Sequence, residues 1–223
     1  MFIDRKDAGE KLASTLDKYK NKNVLVLAIP RGGVEVGYYV AKYLNADFSL
    51  IITRKLPFPD NPEAGFGAVA EDGNIFIFDH FKKILPKEKI DEIIEEQKQE
   101  IKRRIDILRK GKPLPEISNR IVILIDDGIA MGSTMRCAIK LCKEKNASKT
   151  VVAVPVTGIE TEKQIAKMVD EIIVLEKPLF LRAVAQVYEN WYDVSDEEVI
   201  EILEKWEKER LNLNDNKNRM ILI

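Results

Sequence analysis

Two adjacent carboxylates, Asp126 and Asp127, end the aliphatic run Val122-Ile-Leu-Ile, and the segment Gly128-Ile-Ala-Met-Gly132-Ser133-Thr134 follows them. The order reads as a strand, a turn and the start of a helix. The backbone amides of residues 128–134 suit an anion at the helix N-terminus, where the dipole favours negative charge. The two carboxylates suit hydroxyl groups or a magnesium ion. A sugar phosphate presents both partners, a phosphate at one end and hydroxyls at the other. A nucleoside-triphosphate loop would need Gly-Lys-Ser/Thr, and the lysine is missing; the dinucleotide spacing Gly-x-Gly-x-x-Gly is absent as well. The plain alternative is a buried parallel strand with a solvated acidic end.

Two further segments carry chemistry. Leu25-Val-Leu-Ala-Ile-Pro30-Arg31-Gly32-Gly33 is a second strand-to-helix turn. Gly32 and Gly33 permit unusual dihedrals and close backbone approach. Arg31 offers a fork of donors to phosphate oxygens. A helix beginning near Val34 adds a second positive dipole end. Taken alone, this is an ordinary tight turn; beside the first segment it reads as a second anion site. Thr53-Arg54-Lys55 closes the next expected strand with two cations. Residues 178–191 hold Phe180, Tyr188 and Trp191, whose rings could stack on a planar ligand or pack in a core.

These segments need a frame that brings strand ends together. Short Val/Ile-rich runs predict strands at 23–29, 48–53, 120–126, 149–155 and 171–175. Helical patterns fall at about 5–20, 33–44, 87–109, 132–145, 159–168 and 195–210. Continuous apolar strands alternating with helices argue for a parallel twisted sheet with helices on both faces, in a single domain spanning 1–223. Ligands of such sheets gather at the carboxyl ends of the strands. Residues 56–80 break the pattern: three prolines, then a hairpin turning at Asp72-Gly73 or Gly73-Asn74, read as an insertion over the site's mouth. The tail from Asn212 is polar and ends in Met-Ile-Leu-Ile, either frayed or docked on a neighbour.

Composition narrows the class. The 223 residues carry 36 Lys and Arg against 37 Asp and Glu, so no bulk attraction to nucleic acid is expected. No apolar run is long enough to span a membrane, and the first residues lack a signal-peptide core, so a cytoplasmic protein is expected. Cys137 and Cys142 share one helical pattern at a spacing that suits helix packing. A single histidine, His80, argues against a Ser-His-Asp triad or a multi-histidine metal site.

The run from Val122 to Thr134 resembles the signature of type I phosphoribosyltransferases, which bind 5-phosphoribosyl 1-pyrophosphate (PRPP). The similarity continues through Asp-Arg-x-Asp-Ala-Gly near the N-terminus, Pro-Arg-Gly-Gly, Arg-Lys-Leu, Gly-Ala-Val-Ala-Glu-Asp-Gly and Val-Tyr-Glu-Asn-Trp. The group it resembles has no settled acceptor. The resemblance implies the type I fold, with a hood at about 176–193 over an acceptor base, where Leu179, Phe180 and Tyr188 would lie. It implies transfer of a phosphoribosyl group to a nitrogen acceptor with Mg²⁺. Asp126 and Asp127 would hold the ribose and the metal. Gly128, Ile129, Ala130, Met131, Gly132, Ser133 and Thr134 would hold the 5-phosphate. Arg31, Gly32, Gly33, Arg54 and Lys55 would hold pyrophosphate, and the bond before Arg31 would be the family's non-proline cis peptide. Arg31, Lys55, Asp126 and Asp127 would be catalytic. Two departures stand out: Met131 occupies a place usually given to a small residue or Thr, and Ala130 replaces the Asp that assists the base in purine-salvage members. They motivate a rival expectation, a PRPP- or nucleotide-sensing regulator on the same fold. The resemblance leaves a homodimer open.

Overall fold

A computed structural model describes residues 1–221, with side chains described through residue 212. Five strands form a parallel sheet in the order β2-β1-β6-β7-β8: β1 (Val24–Ala28), β2 (Asp47–Leu50), β6 (Ile121–Ile125), β7 (Lys149–Val156) and β8 (Glu171–Glu176). The order places β1 and β6 side by side at the centre, in register from Val24 opposite Ile121 to Ala28 opposite Ile125. The Pro30–Gly33 loop follows β1, and the Asp126–Gly132 loop follows β6. Sheet pairing alone therefore brings the two loops together.

Period-two alternation divides the core. Leu25, Leu27, Val122, Leu124, Val152 and Val154 face one layer, made by helix α4 (Ser133–Glu144) and Ile165 of α5 (Ile159–Ala166). Val24, Val26, Ile123, Ile125, Val151 and Ala153 face the other, made by α1 (Arg5–Ser14) and α2 (Gly33–Leu44). Because both faces are covered, these strands have no polar side and read as unbroken apolar runs. Cys137 and Cys142 lie in the α4 layer, and burial pushes both thiols up to about 12.

The expected strand at 48–53 divides. Its first part is β2, which ends at Leu50; Thr53 opens β3 (Thr53–Phe58) of a separate antiparallel sheet with β4 (Asn61–Ala70) and β5 (Ile75–Ile77). The switch point is held by buried side chains. Glu71 accepts from the Ile52 amide at 2.9 Å and is paired with Arg109, whose Nη1 also donates to the Leu50 carbonyl at 3.2 Å. Charged residues 19 and 59 positions away from the break thus decide it, which local periodicity cannot show. The expected hairpin turn is present: the Gly73 amide donates to Ala70 at 2.9 Å, with Gly73 at φ +88°. Helix α3 (Lys87–Leu108) packs Ile93, Ile101 and Leu108 against Leu56 and Phe66 of this ribbon and against Val199 of α6 (Asp196–Ile221). The helix expected at 5–20 ends at Ser14, with a 3-10 turn at Asp17–Tyr19; the one at 195–210 runs on. The last two residues, Leu222 and Ile223, lie outside the described residues, as do the side chains from 213 on, so the expectation for the tail's end falls there.

Candidate active site

The loops after β1 and β6 touch so closely that side chains are excluded between them. A Cβ on Gly32 would lie 1.9 Å from Asp127 Oδ2, and one on Gly33 would lie 2.8 Å from the Asp126 Cα. Gly32 has φ −58° and ψ −36°. Close approach, and not unusual dihedrals, is what requires glycine here. The Pro30–Arg31 peptide is cis.

On the other loop, Gly132 caps α4 at φ +79°, a conformation that favours glycine. Its turn starts the helix at Ser133, leaving the Ser133 and Thr134 amides in a first turn that has no intrahelical acceptor. The Ile129 amide, expected among the phosphate donors, is instead committed to the Val156 carbonyl at 2.9 Å. Ile129 is buried and ties the loop to β7. Ala130 and Met131 are exposed, Met131 by 46%.

A cavity of about 310 Å³ gathers Lys55, Gly65, Asp126, residues 128–134 and Arg182. Lys55 comes from the ribbon and Asp126 from the end of β6, with the first turn of α4 between them. Burial lowers the pKa of Lys55, and its Nζ donates to the Glu63 carbonyl at 2.6 Å. Burial, and then the charge of Asp127, push Asp126 well above the usual carboxylate range.

The structure separates the acidic pair. Asp126 lines the cavity; Asp127 is 8% exposed and does not. Asp127 Oδ2 accepts from Arg5 Nε at 2.9 Å. Burial raises its pKa and the Arg5 guanidinium opposes the rise. Arg5 is itself 3% exposed, donates to the Tyr192 carbonyl at 3.0 Å, and lies 4.1 Å from the centre of the Trp191 ring. Its neighbours on the buried face of α1 are Ala8, Gly9 and Leu12. Two signals in the sequence point to this residue: its place in Asp-Arg-x-Asp-Ala-Gly and its being a lone cation on that apolar stripe.

The aromatic segment divides too. Tyr188, expected near the acceptor, is 6% exposed; its ring lies between Phe2 and Trp191 at 5.5 and 5.2 Å, and its hydroxyl donates to the Asp127 carbonyl at 2.7 Å. It is a prop beneath the acidic pair, because Phe2 and Tyr188 are joined by a parallel bridge that draws residues 187–190 onto the N-terminus. Leu179 and Phe180 are exposed by 80% and 88% and line a second cavity of about 300 Å³. That cavity shares Ala130 and Arg182 with the first.

The remaining expected cations stand on the α3 side. Arg31 Nη1 lies 3.7 Å from Asp196 Oδ1 at the start of α6, and Asp196 is held in turn by Arg103 at 3.0 Å. Arg54 is half-buried and donates from Nε to Gln97 at 3.1 Å; burial and the nearby charge of Arg104 lower its pKa.

A parallel five-stranded sheet, with its glycine loops and acid at the carboxyl ends of the central strands, is an α/β fold of the type I phosphoribosyltransferase kind. The family model described as the phosphoribosyl transferase domain matches residues 4–188. The chain belongs to that family. Curated relatives from two Mycobacterium tuberculosis strains, each named "Putative phosphoribosyl transferase", are 37% identical over 207 residues, which is 92% of this chain and 47% of theirs. The chain thus spans about half the length of these relatives. The crystal structure of TT1426 from Thermus thermophilus is similar with a TM-score of 0.76 and 31% identity, over 92% of this chain and 98% of that one.

Proposed function

We propose that the protein transfers the phosphoribosyl group of PRPP to a nitrogen atom of a small heterocyclic acceptor and releases pyrophosphate. The observation that carries this reading is the single cavity that joins Lys55, Asp126 and the open first turn of α4. A 5-phosphate fits the amides and hydroxyls of Ser133 and Thr134. The ribose hydroxyls then reach Asp126. Arg31, on the β1 loop and 3.7 Å from Asp196, turns from that pair onto the leaving group when the donor binds. The bond between ribose C1 and pyrophosphate oxygen breaks and its electron pair leaves with the pyrophosphate, while the acceptor nitrogen bonds C1 through its lone pair and its proton passes to the departing pyrophosphate or to water. Charge grows on the leaving oxygens and on the ribose, so fixed cations and a closed, dry site lower the barrier.

Magnesium suits this donor set. The ion is usually held by one or two carboxylates together with phosphate oxygens and water. Asp126 sits where burial and a neighbouring carboxylate disfavour its charge, a strain that a cation relieves. When bound, magnesium would neutralise pyrophosphate charge. Asp127 supports Asp126 from behind through Arg5, and the cavity lined by Leu179 and Phe180 is the place for a planar acceptor.

The test is pyrophosphate release from PRPP and Mg²⁺ with a panel of purines, pyrimidines and related heterocycles. Arg31→Ala should lower kcat by about 10² or more, the scale of losing one charge-stabilising donor, while PRPP affinity falls much less. Tight PRPP binding with no turnover on any acceptor would replace the enzyme by a PRPP sensor.

A further inference from the structure

In the first turn of α4, outside the lining of the phosphate cavity, lies an arginine with no counter-ion among the described residues. Arg136 is 6% exposed. Its guanidinium donates from Nη2 to Gln164 at 2.7 Å and from Nη1 to the Met168 sulfur at 3.5 Å, and its Nε finds no partner. Among the described residues no carboxylate lies within ion-pair distance of it. Burial lowers its pKa, and no neighbouring charge contributes. A buried charge left unpaired is costly, and packing alone would favour an apolar side chain here.

The surroundings show what would pair with it. Arg136 and Gln164 line an open cleft of about 600 Å³ with Phe76, Phe78, His80 and Lys82. The volume is in the range of small-molecule sites. The guanidinium carbon lies 5.3 Å from the Phe76 ring centre and 5.8 Å from that of Phe78. Phe76 and Phe78 are half-exposed and meet edge to face at 4.9 Å, and the exposed His80 ring lies 5.7 Å from Phe78 at a tilt of 35°. Among the described residues the one acid lining the cleft, Asp79, is occupied by Lys82 at 2.6 Å. The cleft therefore combines one uncompensated cation with an aromatic platform.

We propose that this cleft between β5 and α4 is a second ligand site, which takes a planar ring joined to a phosphate, as in a nucleoside monophosphate. The phosphate pairs with Arg136, the ring lies on Phe78 and His80, and Gln164 supplies amide hydrogen bonds. The site is separate from the phosphate cavity, whose lining residues it does not share.

His80 is the only histidine of the chain, so its imidazole gives a single reporter signal inside the cleft. The experiment titrates the full chain with AMP, adenosine and inorganic phosphate, and follows the His80 ring resonances by NMR. AMP should shift them saturably, also in the presence of excess PRPP, and bind more tightly than adenosine or phosphate. Arg136→Met should weaken AMP about tenfold or more, the loss of a charged hydrogen bond, with Arg136→Lys between. Its melting temperature should be equal to or above that of the parent, since an unpaired charge is removed. Four results would each overturn the site: no saturable shift, a shift abolished by PRPP, equal affinity for AMP and either fragment, or a clear loss of stability in Arg136→Met. None of them bears on PRPP turnover, which the pyrophosphate assay reads separately.

Discussion

Asp126 and Asp127 are neighbours in sequence with opposite surroundings. Asp126 faces the cavity, while Asp127 gives Oδ2 to Arg5 and its backbone carbonyl to Tyr188. Their amides should therefore fail differently. Asp126→Asn should leave the fold intact and remove metal-dependent PRPP binding. Asp127→Asn should strand the buried Arg5 guanidinium and destabilise the chain by about 3–5 kcal/mol, the usual cost of breaking a buried pair from one side. Urea denaturation beside calorimetric PRPP titration separates the two. Equal stability in both variants would mean that Arg5 does not hold the acidic pair in place.

At the scale of elements, the site is a contact between two loops. Gly32→Ala tests it. The residue's dihedrals suit alanine, so any effect comes from the methyl group meeting Asp127. Backbone or carboxylate must move, at a cost of about 1–3 kcal/mol for overpacking, and PRPP affinity should fall with stability. An unchanged melting curve would mean that the loops are not held together in solution. The central strands and both loops are legible in the sequence because each is local: an apolar run, then a polar turn, then a helical period. The Arg5–Asp127 pair and the Tyr188 prop join residues 122 and 61 positions apart, and no local pattern encodes such pairings. The same holds for the break after Leu50. Tyr188 is readable as an aromatic near the hood, but its direction depends on a bridge to Phe2 that only the fold supplies.

At the scale of the whole molecule, ion pairs within helix α3 and between β8 and its neighbours set the response to acid. Arg103 and Arg104 beside Glu100 hold its carboxyl at about 2, against an ordinary 4.5. Glu171 is raised by burial but more than compensated by Lys18, Tyr19 and Lys149, which hold it at about 2 as well. A carboxylate with a depressed folded pKa contributes stability above its unfolded value and loses it as pH falls through the folded one. The window for both is thus from about 4.5 down to about 2. Glu100→Gln and Glu171→Gln should be less stable than the parent at pH 6, and the gap should close towards pH 2. A gap that stays constant across that range would show that these carboxylates titrate alike in both states.

Ligand binding acts on the same global equilibrium from the other side. A ligand that binds only the native chain stabilises it by mass action, about 2.7 kcal/mol at one hundred times the dissociation constant. For a chain of this length each kcal/mol moves the melting temperature by about 2–4 °C. PRPP with Mg²⁺ should then raise it by roughly 5–11 °C, and should do so less in Asp126→Asn, which lacks the cavity's carboxylate. The clasp between the N-terminus and residues 187–190 is tied through the Tyr188 hydroxyl to the backbone carbonyl of Asp127, the next residue after that carboxylate, so ligand and clasp should stabilise each other. Removing the ring in Tyr188→Ala should consequently shrink the PRPP-induced shift as well as the basal melting temperature. Differential scanning fluorimetry with PRPP, NAD and ATP reads all of this in one series. A clear shift with NAD or ATP and none with PRPP would overturn the donor assignment, and with it the reading of the Asp126 cavity.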